Sequence, residues 1–180
     1  MLMQREDSCL VVVDVQEKMA PAISGREEIE RNVGVLLQAA EELQIPVLFT
    51  EQYPKGLGST LEHVRSYSPE SAVVSKVHFD CCAEEEFLQR IRQTGKSQVL
   101  LTGMEAHVCV MQTGLGLLRL GFSVFVAADA TGSRNPDHCN LALQRFTAAG
   151  ASPVCTEMVI FEWLQKAGTD EFKKLSKLIK

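Results

Sequence analysis

The sequence contains little that suits a membrane protein or a structural metal site. No apolar run approaches the roughly 18 residues that a membrane span needs, and residues 1–7 carry no apolar segment of a secretory signal. Six cysteines are present, but none form a CxxC pair, and disulfide frameworks belong to short secreted chains. We therefore expect a cytoplasmic protein without membrane partners, whose cysteines are free thiols.

Basic residues are also scarce relative to acidic ones. Lys and Arg number 18 against 23 Asp and Glu, which gives a formal net charge of −5. The only basic cluster is four lysines of the tail, which is typical of a solvated helix face (Lys173, Lys174, Lys177 and Lys180). This balance argues against a nucleic-acid binder. With 46% hydrophobic residues, the 180 residues are enough for one domain, and we expect a single domain over 1–180.

Short apolar runs alternate with amphipathic stretches along the whole chain. The runs predict strands at 9–13, 46–50, 73–76, 98–102, 123–127 and 152–155, and the stretches predict helices at 26–43, 83–93, 108–120 and 135–149. Near-continuous apolar strands separated by helices indicate an α/β protein with a parallel sheet covered on both faces. Residues 51–72 contain Pro and Gly at several positions and predict a long loop, which in a compact domain tends to be functional.

Three reactive side chains stand at the ends of predicted strands. Asp14 follows the first strand, Lys76 ends the third, and Cys109 lies just past the fourth at the start of a helix. Sites in open α/β sheets lie at the carboxyl ends of strands, and a helix N-terminus favours a thiolate. Each residue alone has an ordinary alternative: a solvated Asp, a surface Lys and a small buried Cys. Together they supply a base, a cation and a nucleophile.

These segments resemble the isochorismatase-like cysteine hydrolases, and within them the isochorismatase domain-containing protein subgroup. The resemblance covers residues 8–179, and three motifs carry it for the family: Val11–Gln16, the Lys76 segment and Gly103–Cys109. The loop Thr50–Gly58, with Asp129-Ala130 and Ser133-Arg134, is similar to the subgroup. It implies a three-layer α-β-α sandwich with a six-stranded parallel, Rossmann-like sheet, and a homo-oligomer.

For the site, the resemblance implies a catalytic triad of Asp14 as base, Lys76, and Cys109 as nucleophile. It also implies a cis peptide bond at Met104–Glu105, with the backbone N–H groups of Glu105 and Cys109 forming an oxyanion hole. Possible pocket residues are Gln16, Tyr53 and Phe79, with Trp163 as a further aromatic candidate; aromatic residues at such positions often belong to the core instead. For His107, next to the nucleophile, we expect a side chain that points away from Cys109.

Two departures from the family narrow the chemistry. Its nicotinamidases bind a metal through an Asp-x-His arrangement after the second strand, where this chain reads Thr50-Glu51-Gln52-Tyr53 and the nearest histidine, His63, stands alone. We therefore predict no metal and no cofactor. True isochorismatases cleave a vinyl ether without needing the cysteine, so Cys109 favours acyl chemistry such as amide hydrolysis.

The sequence thus predicts a metal-independent cysteine hydrolase that acts on a small amide-like carbonyl through a thioester. A second hypothesis is a binding or scaffold protein that keeps the fold and the triad without turnover, because fold alone does not decide function. A third, nucleic-acid processing, is disfavoured by the acidic balance.

Overall fold

The computed structural model describes residues 1–179 and contains one six-stranded, all-parallel sheet in the order β3-β2-β1-β4-β5-β6. Apolar side chains alternate between its two faces; in β1, Leu10 and Val12 face one side while Val11 and Val13 face the other. The strands are β1 Ser8–Val13, β2 Val47–Gln52, β3 Ala72–Lys76, β4 Gln98–Met104, β5 Ser123–Gly132 and β6 Ser152–Val154. The predicted α/β class is confirmed.

Helices cover both faces of the sheet. Their bounds are α1 Arg26–Glu42, α2 Pro54–Leu57, α3 Glu62–Arg65, α4 Glu85–Gln93, α5 Met111–Arg119, α6 Pro136–Ala149, α7 Thr156–Leu164 and α8 Asp170–Leu175. Helices α1, α7 and α8 pack on one face, and α4, α5 and α6 pack on the other, which gives the three-layer sandwich. Among residues 1–179, no helix combines the length and apolarity required to cross a bilayer.

Helix α6 illustrates how local signals set element ends. The side chain of Asn135 accepts a hydrogen bond from the backbone N–H of Asp137, Pro136 occupies the first turn, and Gly150 closes the helix with φ of 95°. This agrees with the N-cap, Pro and Gly preferences of helix termini. The boundary predicted from sequence is therefore correct here.

Residues 51–72 depart from the predicted long loop. Strand β2 continues to Gln52, and the segment that follows contains the short helices α2 and α3 before β3 begins at Ala72. Proline at the first turn of α2 is compatible with a helix because no intrahelical partner exists for that N–H. Pro54 and Gly58 thus mark the two ends of α2, and the segment is not an unstructured connection.

Candidate active site

The ends of β1 and β4 lie side by side at the point where the order in which the chain adds strands reverses. Chain connections run from β1 toward β2 and β3 on one side, and from β4 toward β5 and β6 on the other. Ligands of open α/β sheets bind in the crevice at such a switch point. Asp14 directly follows β1, and the segment leading to Cys109 directly follows β4.

Asp14 and Lys76 form a fully buried ion pair. Lys76 Nζ lies 2.8 Å from Asp14 Oδ2, and both side chains have no exposed surface. The second carboxylate oxygen, Oδ1, accepts a hydrogen bond of 2.7 Å from the hydroxyl of Thr50 on β2. Asp14 itself adopts φ of 52°, which turns the chain sharply as it leaves β1. Burial of two charges is tolerable only with such complete pairing.

Three acceptors surround the ammonium of Lys76. Besides Asp14, its Nζ donates to Gln52 Oε1 at 2.6 Å and to the carbonyl of His78 at 3.3 Å. An ammonium has three N–H donors, so all of them have partners in the protein. Burial opposes the charge, but the Asp14 carboxylate together with the neighbouring Cys81 and Cys109 raises the pKa of Lys76 above its ordinary 10.5. Lys76 is therefore a fixed cation.

Cys109 lies in a single π-helical turn, Ala106–Val110, between β4 and α5, and is only 3% exposed. Burial raises the pKa of its thiol, the Asp14 carboxylate raises it further, and Lys76 partly offsets both. The sequence predicted a thiolate favoured by a helix N-terminus, whereas burial and the nearby carboxylate shift the pKa of this thiol upward, which favours the neutral form.

The peptide bond between Met104 and Glu105 is cis, as the resemblance implied. The Glu105 carbonyl accepts hydrogen bonds from the amides of Val108 and Val110, and its carboxylate Oε2 accepts from both the backbone N–H and the Nε of Arg134. Burial opposes the charge on Glu105, but the bonds from Arg134 lower the pKa of the carboxyl below its ordinary value. The side chain and carbonyl of Glu105 thus hold the turn that carries Cys109.

Comparison with known proteins agrees with this architecture. The Isochorismatase domain family matches residues 8–158, most of the chain. The chain belongs to the isochorismatase family. It is 34% identical to isochorismatase domain-containing protein 2A of Mus musculus over 178 residues, which cover 97% of this chain and 84% of the mouse protein. The predicted family and subgroup are confirmed.

Solved structures of isochorismatase-like proteins share the fold. The MAR1 ribonuclease from Caenorhabditis elegans superposes with a TM-score of 0.93 at 34% identity, covering 99% of this chain and 92% of that one. YcaC from Pseudomonas aeruginosa, solved with hexane-2,5-diol and covalent acrylamide, superposes with a TM-score of 0.90 at 25% identity, covering 99% and 95%. This chain therefore has the same overall fold as these two proteins.

In this isochorismatase-family site, the side chain of Gln16 connects the end of β2 to the segment around Gly58 by hydrogen bonds. Its buried side-chain amide donates to the carbonyls of Gln52 and Gly58 and accepts from the amide of Gln52. Backbone bonds between 15–18 and 57–61 run alongside it. Every polar atom of the Gln16 side chain thus has a partner, and the residue holds one wall of the site.

The aromatic candidates separate into two groups. Tyr53 and Phe79 are 56% and 51% exposed and lie close to Lys76 in the structure or the chain; the Tyr53 amide donates to the Lys76 carbonyl. Trp163, near the end of α7, is instead fully buried in the core, with its Nε1 donating to Ser8 Oγ at the start of β1. Trp163 is therefore a core residue and does not line the site, because Ser8 lies at the opposite end of β1 from Asp14.

The two histidines considered from sequence have local partners. His107 Nδ1 lies 2.9 Å from Ser133 Oγ, and its ring packs against His138. His63 pairs with Glu30. Within residues 1–179, no group of three or more His, Cys, Asp or Glu side chains is arranged to hold a metal ion.

Thr50, Gln52 and Cys81 were not identified from the sequence. Thr50 and Gln52 lie two residues apart at the end of β2, and the strand register pairs Gln52 with Lys76. Polar residues at positions i and i+2 at the end of an apolar strand share one face, and this pattern is the sequence feature that could have identified them. Cys81 is buried, and burial raises the pKa of its thiol to about 12, although Lys76 lowers it. Nothing in the local sequence separates Cys81 from an ordinary core cysteine.

Proposed function

We propose that this isochorismatase-family protein is a cysteine hydrolase of small amide-like carbonyl compounds, with Asp14, Lys76 and Cys109 as its catalytic triad. The observation that carries the proposal is the buried Asp14–Lys76 ion pair, whose two charges both act on the thiol of Cys109. A buried ion pair is weak evidence for stability. A perturbed thiol beside a buried carboxylate and cation is typical of catalytic sites.

The reaction begins with transfer of the Cys109 thiol proton to the Asp14 carboxylate as the sulfur attacks the carbonyl carbon. The new S–C bond produces an oxyanion, for which the backbone N–H groups of Glu105 and Cys109 are the donors in this proposal. Collapse breaks the C–N bond, and the amine leaves with the proton from Asp14. Water then gives a proton to Asp14 and attacks the thioester, the C–S bond breaks and the acid is released, and the proton on Asp14 returns to the sulfur to regenerate the thiol.

Lys76 has an electrostatic role in this scheme. Its charge stabilises the developing thiolate, and its bonds to Asp14 and Gln52 hold it in place. Because burial and Asp14 favour the neutral thiol, deprotonation accompanies attack on a bound carbonyl. Cys109 is only 3% exposed, which favours small substrates.

A relative supports a reactive nucleophile rather than acyl transfer itself, because acrylamide alkylates nucleophiles at its β-carbon and keeps its amide bond. YcaC from Pseudomonas aeruginosa, 25% identical, has been obtained with covalent acrylamide, an uncharged amide. The C. elegans relative is named a ribonuclease, which keeps nucleic-acid processing as the alternative activity. The net charge of −5 disfavours that activity here.

The test measures ammonia release from a panel of small primary amides by the wild type and by Cys109→Ala. Cys155→Ala is the control, since Cys155 is a free, half-buried thiol away from the triad. We expect turnover in the wild type and the control only, with an acyl-enzyme on Cys109 in trapped samples. Turnover by Cys109→Ala would refute the triad.

The same preparation separates the alternatives. Binding of panel compounds without turnover would favour the scaffold hypothesis, and salt-dependent cleavage of RNA would favour the ribonuclease. Equal RNA cleavage by the wild type and Cys109→Ala would exclude this cysteine from such an activity.

We also propose a cytoplasmic homo-oligomer without metal or cofactor. All six cysteines are free, which suits a reducing compartment. An apolar depression of about 310 Å³, lined by His107, Met111, His138, Leu141, Ala142 and Arg145, supports a subunit contact because Leu141 is 57% exposed. Light scattering after size-exclusion chromatography measures the assembly; a mass of 19.9 kDa would refute it.

A further inference from the structure

The ammonium of Lys76 has no free hydrogen for a ligand. Its three N–H donors are taken by Asp14 Oδ2, Gln52 Oε1 and the His78 carbonyl, at 2.8, 2.6 and 3.3 Å. The charge of the ammonium is likewise balanced by the carboxylate of Asp14. A substrate carboxylate placed beside this pair would find neither a hydrogen-bond donor nor a net positive charge on Lys76.

The Glu105–Arg134 ion pair, which adjoins the turn that carries Cys109, is also neutral overall. Glu105 Oε2 accepts from Arg134 Nε at 3.1 Å, so this second pair also has no net charge. Cys109 is only 3% exposed, so a substrate group that reaches its sulfur loses water. A carboxylate beside the reacting carbonyl, whose oxygen the backbone N–H groups of Glu105 and Cys109 are proposed to hold, would find no free side-chain cation among these residues to compensate for that loss.

We propose that this site accepts uncharged amides and rejects substrates that carry a carboxylate next to the reacting carbonyl. The inference rests on the proposed function, since it concerns what Cys109 attacks. Gln52 is the specificity-determining residue, because its amide oxygen already accepts the Lys76 N–H that a substrate carboxylate would need as a hydrogen-bond donor.

Two alkylating reagents of nearly equal size test the proposal without a known substrate. Iodoacetamide is neutral and iodoacetate is anionic; with either one, the Cys109 sulfur attacks the CH2 carbon, iodide leaves, and the thiol proton passes to Asp14. Rates at Cys109 are measured by peptide mass spectrometry, which resolves it from the other five cysteines. An uncharged small thiol gives the intrinsic ratio of the two reagents.

We expect wild-type Cys109 to prefer iodoacetamide by about tenfold more than the small thiol does. Gln52→Ala frees one N–H of Lys76 and opens space for a carboxylate. The preference of Cys109 for iodoacetamide over iodoacetate should therefore fall by about threefold or more, which is a smaller effect than one full hydrogen bond to a charged group produces. Gln52→Met frees the same N–H at similar volume and serves if Gln52→Ala does not fold. Gln38→Ala is the matched control, because Gln38 bonds only to Gly34 on α1.

The outcomes separate the two proposals. If wild-type Cys109 reacts with neither reagent, the proposed function fails and this inference with it. If Cys109 reacts with both in the ratio of the small thiol, the proposed function stands and the neutral-substrate inference is overturned. A preference that survives unchanged in the Gln52 variants overturns the assignment of specificity to the occupied ammonium.

Discussion

Removal of the Lys76 charge should destabilise the protein far more than removal of a surface lysine. In Lys76→Met the side-chain volume is kept, but Asp14 stays buried without a cation, with the hydroxyl of Thr50 and the thiol of Cys109 as its side-chain partners. Breaking a buried pair at one partner costs about 3–5 kcal/mol. This is a large share of the roughly 5–15 kcal/mol by which domains are stable.

The double variant makes the argument quantitative. Asp14→Asn should also be costly, since it leaves the ammonium of Lys76 buried with only neutral acceptors. In Asp14→Asn/Lys76→Met neither charge remains, so its loss should be at least about 2 kcal/mol smaller than the sum of the two single losses. The coupling then measures the interaction of the two charges in the folded protein.

Urea unfolding followed by tryptophan fluorescence is the assay. The chain has one tryptophan, Trp163, which is fully buried and distant from the site. The measurement belongs at about pH 7, because the raised pKa of Lys76 keeps its stabilising charge complete below the ordinary 10.5 and loses it only as pH rises through the higher folded value. The exposed pair Lys173–Asp170 is the matched control, and Lys173→Met should not change stability measurably.

The reasoning fails if the single losses add up, within about 0.5 kcal/mol, to the loss of the double variant. Additivity would mean that the two charges are solvated independently despite their separation of 2.8 Å. A loss for Lys76→Met no larger than that for Lys173→Met would refute the burial argument as well.

Three further results follow from the site. Thr50→Val removes the hydroxyl bonded to Asp14 and should cost about 1.5–3 kcal/mol in urea unfolding; no loss would mean that water replaces the hydroxyl. Gly103→Ala places a Cβ against the Val13 backbone at φ of 109°, so thermal unfolding should show at least about 2 kcal/mol more destabilisation than Gly95→Ala, where the space is open. Because burial and Asp14 raise the pKa of Cys109 and Asp14 takes the thiol proton during attack, its alkylation rate should change less than about threefold from about pH 7 to 9; an approximately tenfold rise per pH unit would mean that the proton is lost to solvent before attack.

The sequence predicted the positions of the reacting groups because strand ends are encoded locally. The apolar run before Asp14 and the one before Gly103 are each long enough to identify a buried strand, and parallel strands bring their carboxyl ends to one edge. The family resemblance added the cis bond before Glu105. These features needed no information about distant packing.

What the sequence did not provide depends on contacts between distant segments. Gln52 reaches Lys76 only because β2 pairs with β3 in one register, and Thr50 reaches Asp14 only because β2 also pairs with β1. For the same reason, the sequence predicted a lowered pKa for Cys109, whereas burial and Asp14 raise it. A helix N-terminus can be recognised in the sequence, whereas burial and a neighbouring carboxylate are properties of the folded site.

The hydrogen bonds of the Gln16 side chain limit how the two segments that they join can move apart. Its amide joins Gln52 and Gly58, and the backbone amides of Glu17, Lys18 and Leu61 bond across the same seam. These two segments can separate only by breaking these bonds together, so their amides should exchange with deuterium as one cooperative unit. Segments that are already fixed in this way lose little conformational entropy if a ligand binds beside them.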